Sequence, residues 1–341
     1  MQARLHHLAL GLLLATLVRS RSATDMETNA QALVDALATE QRTKLCFAFD
    51  DATRLKWSYL PGARAGLRLK DMDAAARRAA HTLMRSLLSS QGYLKVTSIM
   101  ALEPVLAQME IAAGGNGAAR DAEQYAFAVF GQPSSAKPWG WRMEGHHVVI
   151  TFTSVGSGVA LTPMFLGTHP AEIQSGPSAG LRILGREEDV AIQLMQHLDA
   201  EERAAATMPG AVPGDVFAGP ARGVADIEPK GLPLAQMEAD DMALLRELVR
   251  AFTGNFPAAE AAAAEQRIFD GDLAAMRFAW WGTVAPRQAC AWRLRTVTSV
   301  LEFDNREAGS GHAHLVWRDG TRDHGADLLE QHLREHHGEK R

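Results

Sequence analysis

The C-terminal third of the chain carries three strand-like segments in succession, and this constrains the fold more than any other feature. They cover residues 276–284, 290–304 and 312–318. The last two are separated by the glycine-containing segment 305–311, which is typical of a hairpin. A short connection of this kind joins antiparallel strands, because parallel neighbours need a crossover of a dozen or more residues. The sequence therefore predicts an antiparallel arrangement in this region.

The rest of the chain alternates helical and strand-like patterns without a regular rhythm. Apolar periodicity predicts helices over 27–44, 71–90, 94–112, 186–206, 243–252, 258–268 and 325–337. Asp71 is the expected cap of the second helix, and Pro104 is expected to kink or break the third. Further strands are predicted over 125–131, 139–154 and 160–166. This order indicates an α+β fold with a helical N-terminal half and a mixed, mostly antiparallel sheet.

Composition limits the class of protein. The chain has 341 residues, of which 47% are hydrophobic and 22% charged, so it should bury a sizeable core. A formal net charge of -5 argues against a dedicated nucleic-acid binder, which normally carries a clustered basic face. We expect one domain over 24–341, with the Pro- and Gly-rich segment 207–233 as an internal loop or linker. The composition leaves the oligomeric state open.

The first 23 residues have the pattern of a secretory signal peptide. A mildly basic start precedes an apolar run at 8–18, and small residues follow at 20–23. The run is too short to cross a bilayer, and no later segment is long enough, so we expect no membrane span in the mature chain. These features predict a secreted, periplasmic or otherwise extracytoplasmic protein. Cys46 and Cys290 then leave two possibilities open, one long-range disulfide or two separate thiols.

A first histidine pair lies in the predicted strand 139–154. Glu144 and Gly145 precede His146 and His147. Neighbours in a regular strand point to opposite faces, so the two rings cannot share one pocket unless Gly145 marks a bulge. One imidazole could serve as a metal ligand or general base. The alternative is one buried, hydrogen-bonded histidine and one exposed histidine.

A second pair, His312 and His314, has the spacing of a strand face. Residues two apart on a strand point the same way, so both rings could reach one metal ion. Asp304 and Asn305 end the preceding strand, beside the start of this one. Two imidazoles and a carboxylate suit zinc or non-haem iron. The alternative is a solvated strand face without a ligand.

Three weaker features add secondary candidates. Trp139 and Trp141, next to Arg142, could form an aromatic wall for a ligand or could pack in the core. His332 lies on the apolar stripe of the last predicted helix, where it could be a core residue or a third imidazole. Asp319 follows the His312 strand as a further carboxylate.

Several segments together resemble the DUF3500 family of proteins. The matching segments are Trp57–Pro61, Arg64–Met72, Gly92–Lys95, Pro138–His147, Gly176–Arg182, Glu302–Asn305 and His312–Asp319, of which Pro138–His147 is the most specific. The resemblance implies an exported protein with no assigned activity, and it supplies no catalytic residue. Family members carry a Thr-, Gln- and Asn-rich loop where this chain has residues 306–311. His169 and Trp281 look like local variants and are left out of the predicted site.

These observations lead to one main hypothesis, an exported enzyme with one divalent metal ion, zinc in the first instance. Its substrate would be a small molecule of unknown identity. The ligands would be His312, His314 and either His146 or His147, with Asp304 as a fourth ligand or an orienting group. Glu144 would act as general base, and Arg142 and Arg318 would stabilise negative charge. The alternatives are an iron or copper oxidoreductase with the same ligands and a non-catalytic extracytoplasmic binding protein.

Overall fold

The structure, a computed structural model, describes residues 25–134, 136–306 and 311–337. The predicted signal peptide at 1–23 lies outside these residues, as does most of the loop at 306–311. Within them, helix α1 covers 25–35. The other helices are α2 (Thr39–Leu45), α3 (Ala74–Leu87), α4 (Ser90–Ala112), α5 (Gly185–His197), α6 (Ala200–Ala206), α7 (Ala239–Thr253), α8 (Ala258–Ile268) and α9 (Ala326–His337).

Twelve strands form one continuous sheet in this part of the chain. They are β1 (Cys46–Phe47), β2 (Leu67–Arg68), β3 (Ala126–Phe130), β4 (Trp139–Gly145), β5 (Val148–Val155), β6 (Gly158–Ala160), β7 (Met164–Thr168), β8 (Leu232–Pro233), β9 (Arg277–Gly282), β10 (Cys290–Arg295), β11 (Ser299–Asn305) and β12 (Ala313–Asp319). Their order is β1-β3-β4-β5-β7-β12-β11-β10-β9-β8, with β2 beside β3 and β6 beside β5. The β1–β3 pair is parallel and the other named pairs are antiparallel. The α+β prediction with a mixed, mostly antiparallel sheet is confirmed.

Two segments that were predicted as single long strands are hairpins. Residues 139–154 divide into β4 and β5 around a turn at 146–147, and residues 290–304 divide into β10 and β11 around 296–298. The prediction was wrong because the turns are only two and three residues long, and neither carries the Asn-Gly or Asp-Gly pair that usually marks one. The first correction matters for the site, since it moves His146 and His147 from a strand to a turn.

The helix boundaries also differ from the prediction. Asp73, and not Asp71, caps α3 by accepting a hydrogen bond from the backbone of Ala76. Ser89 caps α4, which continues through Pro104 to Ala112. Gly92 therefore lies in the first turn of α4. A Cβ atom there would lie 2.1 Å from the carbonyl oxygen of Asn255, so only glycine allows this approach.

The two faces of the sheet have different coverings. One face packs against the helices and holds the large apolar core, which includes Trp141 and Trp317. Alternate residues point to the other face, where Val149, Phe165 and Val316 pack beneath the segments around Trp57 and 216–227. Irregular segments rather than helices cover this second face. It carries most of the buried charged residues of β4, β11 and β12.

Three further expectations concern single segments. Within the predicted linker 207–233, residues 216–227 lie across the second face of the sheet, with Ala218 and Val224 buried in its apolar cluster, and residues 232–233 form the edge strand β8. Cys46 and Cys290 are both free thiols, the first exposed and the second buried, so the disulfide possibility is not realised. No helix among the described residues has the length and apolar character needed to cross a bilayer.

Candidate metal centre

The turn between β4 and β5 fixes the position of His147. Its backbone φ of 64° lies in the left-handed region, which residues other than glycine rarely adopt. The backbone N–H donates to the carbonyl of Tyr59 at 2.9 Å, and its carbonyl accepts from the N–H of Gly167 at 2.7 Å. These two bonds tie the turn to a covering segment and to β7. They hold His147 in a conformation that costs about 1–3 kcal/mol.

Strand pairing fixes His314 and, through it, His312. His314 of β12 lies opposite Gly167 of β7 on one side and Asp304 of β11 on the other. His312 directly precedes the strand, and the two rings have centroids 4.5 Å apart. The i, i+2 spacing therefore places both imidazoles together, as the sequence pattern indicated.

His147, His312 and His314 form a group that could hold a metal ion. Each offers one ring nitrogen, and these nitrogens all lie within 4.8 Å of one another. The Nε2 atoms of His147 and His312 are 2.8 Å apart. Nε2 of His314 is buried and makes no hydrogen bond. Three imidazole nitrogens in one group are a ligand set typical of zinc and of other first-row transition metals.

Gly167 provides the space in which two of these rings meet. A Cβ atom at this position would lie 2.8 Å from Cδ2 of His147 and 2.8 Å from Cδ2 of His314. Any side chain here would push at least one ring away. The glycine in the middle of β7 is therefore required by the packing of the imidazoles and not by a turn.

Two carboxylates lie on the other side of His314. Its Nδ1 is 2.9 Å from Oδ1 of Asp215 and 3.7 Å from Oδ2 of Asp304. The hydroxyl of Tyr59 donates to the second oxygen of Asp215 at 2.9 Å. Nη2 of Arg306 also lies 3.1 Å from Nδ1, so this nitrogen either donates to Asp215 or accepts from Arg306. Donation to Asp215 leaves the lone pair on Nε2, which is the form of histidine that binds a metal. Asp215, Asp304 and His314 also form a second group whose ligand atoms lie within 4.8 Å.

Burial sets the charge of these groups. Desolvation lowers the pKa of His147 well below its ordinary value, and desolvation with neighbouring positive charge lowers the pKa of His312 to about 2. Desolvation also lowers the pKa of His314, against the opposing effect of Asp215. The three rings are therefore neutral at neutral pH, as metal ligation requires. Desolvation raises the pKa of the Asp304 carboxyl well above its ordinary value.

A family model described as "Protein of unknown function (DUF3500)" matches residues 19–326, nearly the whole chain. The chain belongs to the DUF3500 family. This confirms the resemblance carried by the matching segments. No curated protein and no solved structure matches the chain. The description of the DUF3500 family assigns no activity, so the functional argument depends on the geometry of the site.

His146 lies beside the group but its nitrogens are engaged elsewhere in this DUF3500 protein. Nδ1 is 2.5 Å from Oε1 of Glu103, and Nε2 is 3.3 Å from a guanidinium nitrogen of Arg120. Arginine can only donate, so Nε2 accepts and Nδ1 donates to Glu103. The ring stacks on His147 with centroids 3.7 Å apart. Of the two alternatives for the third ligand, the structure brings His147 to His312 and His314.

Glu144, Arg142 and Arg318 bind the covering segments. Nε of Arg142 lies 3.1 Å from Glu144, and the same guanidinium donates to the carbonyls of Thr53 and Arg54 at 3.1 and 3.0 Å. The guanidinium of Arg318 donates to the carbonyls of Ala218, Gly219 and Arg222 at 3.0–3.1 Å. Both arginines thus hold irregular backbone against the second face of the sheet. Their donors are used by these carbonyls, which leaves them poorly placed to stabilise charge on a substrate.

The secondary candidates are dispersed. Trp139 and Trp141 are buried in the core on the helix-covered face, so they do not share a surface with Arg142. Asp319 accepts hydrogen bonds from Thr321 and caps the turn after β12. Asn305 is buried opposite Ala313, beside the imidazole strand. The side chain of His332 lies outside the described part of the chain.

Sequence reasoning missed four residues of the site. Asp215 lies in a Pro- and Gly-rich segment that carries no motif, and Tyr59 lies in another irregular segment. Gly167 gave no signal because a glycine in a strand has several explanations. His169, set aside as a local variant, stacks on His312 with centroids 4.6 Å apart. The chain has 13 histidines, and no spacing pattern singles this one out.

Proposed function

We propose that this protein is a metal-dependent enzyme of the zinc hydrolase type, with one divalent ion held by His147, His312 and His314. The observation that carries the proposal is the group of three neutral imidazoles whose nitrogens lie within 4.8 Å. Catalytic zinc sites commonly have three protein ligands and an open position for a substrate or water. His312 is only partly buried, which supports access to the group from solvent.

The surrounding carboxylates support the zinc assignment. The ring nitrogen of a histidine ligand that does not bind the zinc usually donates a hydrogen bond to a carboxylate. Asp215 lies in this position, 2.9 Å from Nδ1 of His314. Tyr59 in turn orients Asp215. Asp304 is 1% exposed and forms an ion pair with Nε of Arg306 at 3.5 Å, but neither of its oxygens makes a hydrogen bond. A buried carboxylate is costly unless a cation compensates it, and a metal ion held by His314 would add to the charge of Arg306.

The proposal gives each residue one task. Bound zinc would supply Lewis acidity toward a carbonyl or phosphoryl oxygen. Asp215 orients His314, and Tyr59 orients Asp215. Asp304, whose pKa burial raises well above its ordinary value, lies 3.7 Å from Nδ1 of His314 and supports this ring from the side away from the metal. Glu144, Arg142 and Arg318 hold the covering segments in place.

Hydrolysis of chromogenic esters tests the reaction class. p-Nitrophenyl acetate and p-nitrophenyl phosphate would be offered to the zinc-loaded protein and to protein stripped with EDTA. The proposal predicts turnover of at least one of them that is lost with EDTA and restored by zinc. Asp304→Asn should lower zinc affinity and turnover together, because this carboxylate acts through His314, and Asp270→Asn, the same charge change on an exposed residue, should have no effect.

Other outcomes would favour the alternatives. Turnover that is unaffected by chelation would contradict the metal-dependent mechanism. A metal that is held without hydrolysis would favour the non-catalytic binding protein. A coloured or paramagnetic centre of iron or copper would favour the oxidoreductase with the same ligands.

We also propose that the protein is exported, because residues 1–23 have the pattern of a signal peptide. Expression of the full chain in a bacterial host, followed by intact mass measurement of the periplasmic fraction, tests this. The proposal predicts a product shortened by about two dozen residues. Replacing Leu12 and Leu13 by arginine should keep the chain in the cytoplasm, and an unprocessed cytoplasmic product of the native chain would contradict the proposal.

A further inference from the structure

A second feature of the molecule lies directly beside the imidazole group. A cleft of about 510 Å³ lies between the segment 61–66 and the segment 118–124, with Lys44 and Arg68 also in its wall. Its volume falls in the range of small-molecule sites, about 300–1,000 Å³. Glu103 and His146 also line it. Since His146 stacks on His147, the cleft ends one ring away from the proposed metal ligands.

The charges in the cleft are not all paired. Arg68 forms an ion pair with Asp71 at 2.7 Å, and His146 bonds to Glu103. Lys44 makes no ion pair with a described residue. Arg64 donates only to carbonyl oxygens of its own loop within the described chain, those of Leu60, Gly62 and Ala63. Lys44 and Arg64 therefore have no carboxylate within ion-pair distance among the described residues, although Lys44 acts electrostatically on Asp71 and Arg64 on Glu144.

Two buried polar atoms in the lining also lack partners. They are Nε of Arg64, which can only donate, and Oε2 of Glu103, which as a carboxylate oxygen accepts. Glu103 is 2% exposed, so this oxygen has little compensation from solvent. The charges of both residues affect the pKa of the Tyr125 hydroxyl. Burial, and after it the charge of Glu103, raise this pKa well above its ordinary value, and the charge of Arg64 lowers it. The unpaired donor and the unpaired acceptor belong to residues that line the same cleft. Unsatisfied buried polar groups often mark a bound ligand or water.

We propose that this cleft binds a small soluble carboxylic acid that also carries a hydroxyl or ammonium donor. The carboxylate lies between Arg64 and Lys44, and the donor group bonds to Glu103. Such a molecule pairs its carboxylate with Arg64 and Lys44 and also donates a hydrogen bond to Glu103. A simple anion has no donor for Glu103, and a neutral polyol has no charge for the two cations. The assignment names the substrate class of the neighbouring site, and in that respect it rests on the proposed function.

Titration calorimetry on EDTA-treated protein at constant ionic strength tests the binding without the metal. The probes are D-glucuronate, acetate, D-glucose and inorganic phosphate. We expect D-glucuronate to bind about tenfold or more tightly than acetate or phosphate, and D-glucose not to bind. Equal affinity for phosphate and D-glucuronate would overturn the assignment to a carboxylic acid, and so would the absence of D-glucuronate binding.

Two exposed positions provide a matched pair of variants. Ala119→Glu adds a carboxylate to the cleft, and Ala262→Glu adds one to a separate cleft on α8. We expect the first to weaken D-glucuronate binding about tenfold or more by repulsion and the second to leave it unchanged. Lys44→Gln, an exposed substitution with little effect on folding, should weaken binding in the same direction.

The result separates the two proposals. Equal binding by the Ala119→Glu and Ala262→Glu variants would overturn the cleft assignment while leaving the metal proposal intact. Absence of metal together with D-glucuronate binding that depends on Lys44 would retain the cleft and reject the metal-dependent enzyme. Neither readout depends on turnover.

Discussion

At the scale of single residues, the site depends on a hydrogen atom in place of a side chain at Gly167. The rings of His147 and His314 meet over this position, and a methyl group would overlap both at 2.8 Å. Sequence reasoning could identify His312 and His314 because strand geometry fixes an i, i+2 pair. It could not choose between His146 and His147, because that choice depends on a turn whose direction is set by contacts with Tyr59 and Gly167.

Gly167→Ala should weaken metal binding and destabilise the fold. The added methyl group displaces at least one ring, and overpacking of this kind costs about 1–3 kcal/mol. Zinc content and thermal unfolding would be measured together. Gly223→Ala serves as the control, since a Cβ atom there would meet only a side-chain oxygen at 3.5 Å. Full zinc content in the Gly167→Ala variant would contradict the account of how the rings are packed.

Asp215→Asn should reduce zinc affinity about 10- to 100-fold, the usual effect of removing a carboxylate that orients a histidine ligand. Competition with a chromophoric chelator gives the affinity directly. Tyr59→Phe should shift it in the same direction by less, because the hydroxyl acts only through Asp215. Asp270→Asn is the control for the loss of one negative charge. An unchanged affinity in Asp215→Asn would show that the carboxylate does not orient the ligand.

At the scale of elements, the charged residues on the second face of the sheet attach irregular segments to it. Arg142 binds the carbonyls of 53–54 and Arg318 those of 218–222. The prediction of helices and of most strands succeeded because periodicity is a local property. The positions of 207–233 and of the segment around Tyr59 were not predictable, because they depend on pairing with charges far away in the sequence.

Arg318→Met should loosen the segment 207–233. The substitution removes three hydrogen bonds to backbone carbonyls and leaves the largely buried Asp323 without its cation, which costs up to about 3–5 kcal/mol. Limited proteolysis followed by mass spectrometry should give new cleavages within 207–233. Arg142→Met should instead expose the segment near residues 53–58. The same cleavage pattern in both variants would contradict the separate attachment of the two segments.

At the scale of the whole molecule, the site exists because one sheet joins distant parts of the chain. His147 and His312 are separated by 165 positions, and β7 brings them together by pairing with β5 on one side and β12 on the other. The sequence indicated the chemistry of each histidine pair and the antiparallel character of the C-terminal strands. It could not show that the pairs meet, since β7 lies far from β12 in sequence and no local pattern specifies their pairing.

The central claim is that His147, His312 and His314 hold a metal ion, and metal content measures it most directly. Untagged protein would be analysed by inductively coupled plasma mass spectrometry beside a His312→Ala/His314→Ala double variant, a His147→Ala variant and a His197→Ala control with a half-exposed histidine. The account predicts about one equivalent of zinc in the native and control proteins and a large loss in the other two. Native protein without metal after reconstitution, or full metal content in the His147→Ala and double variants, would contradict it.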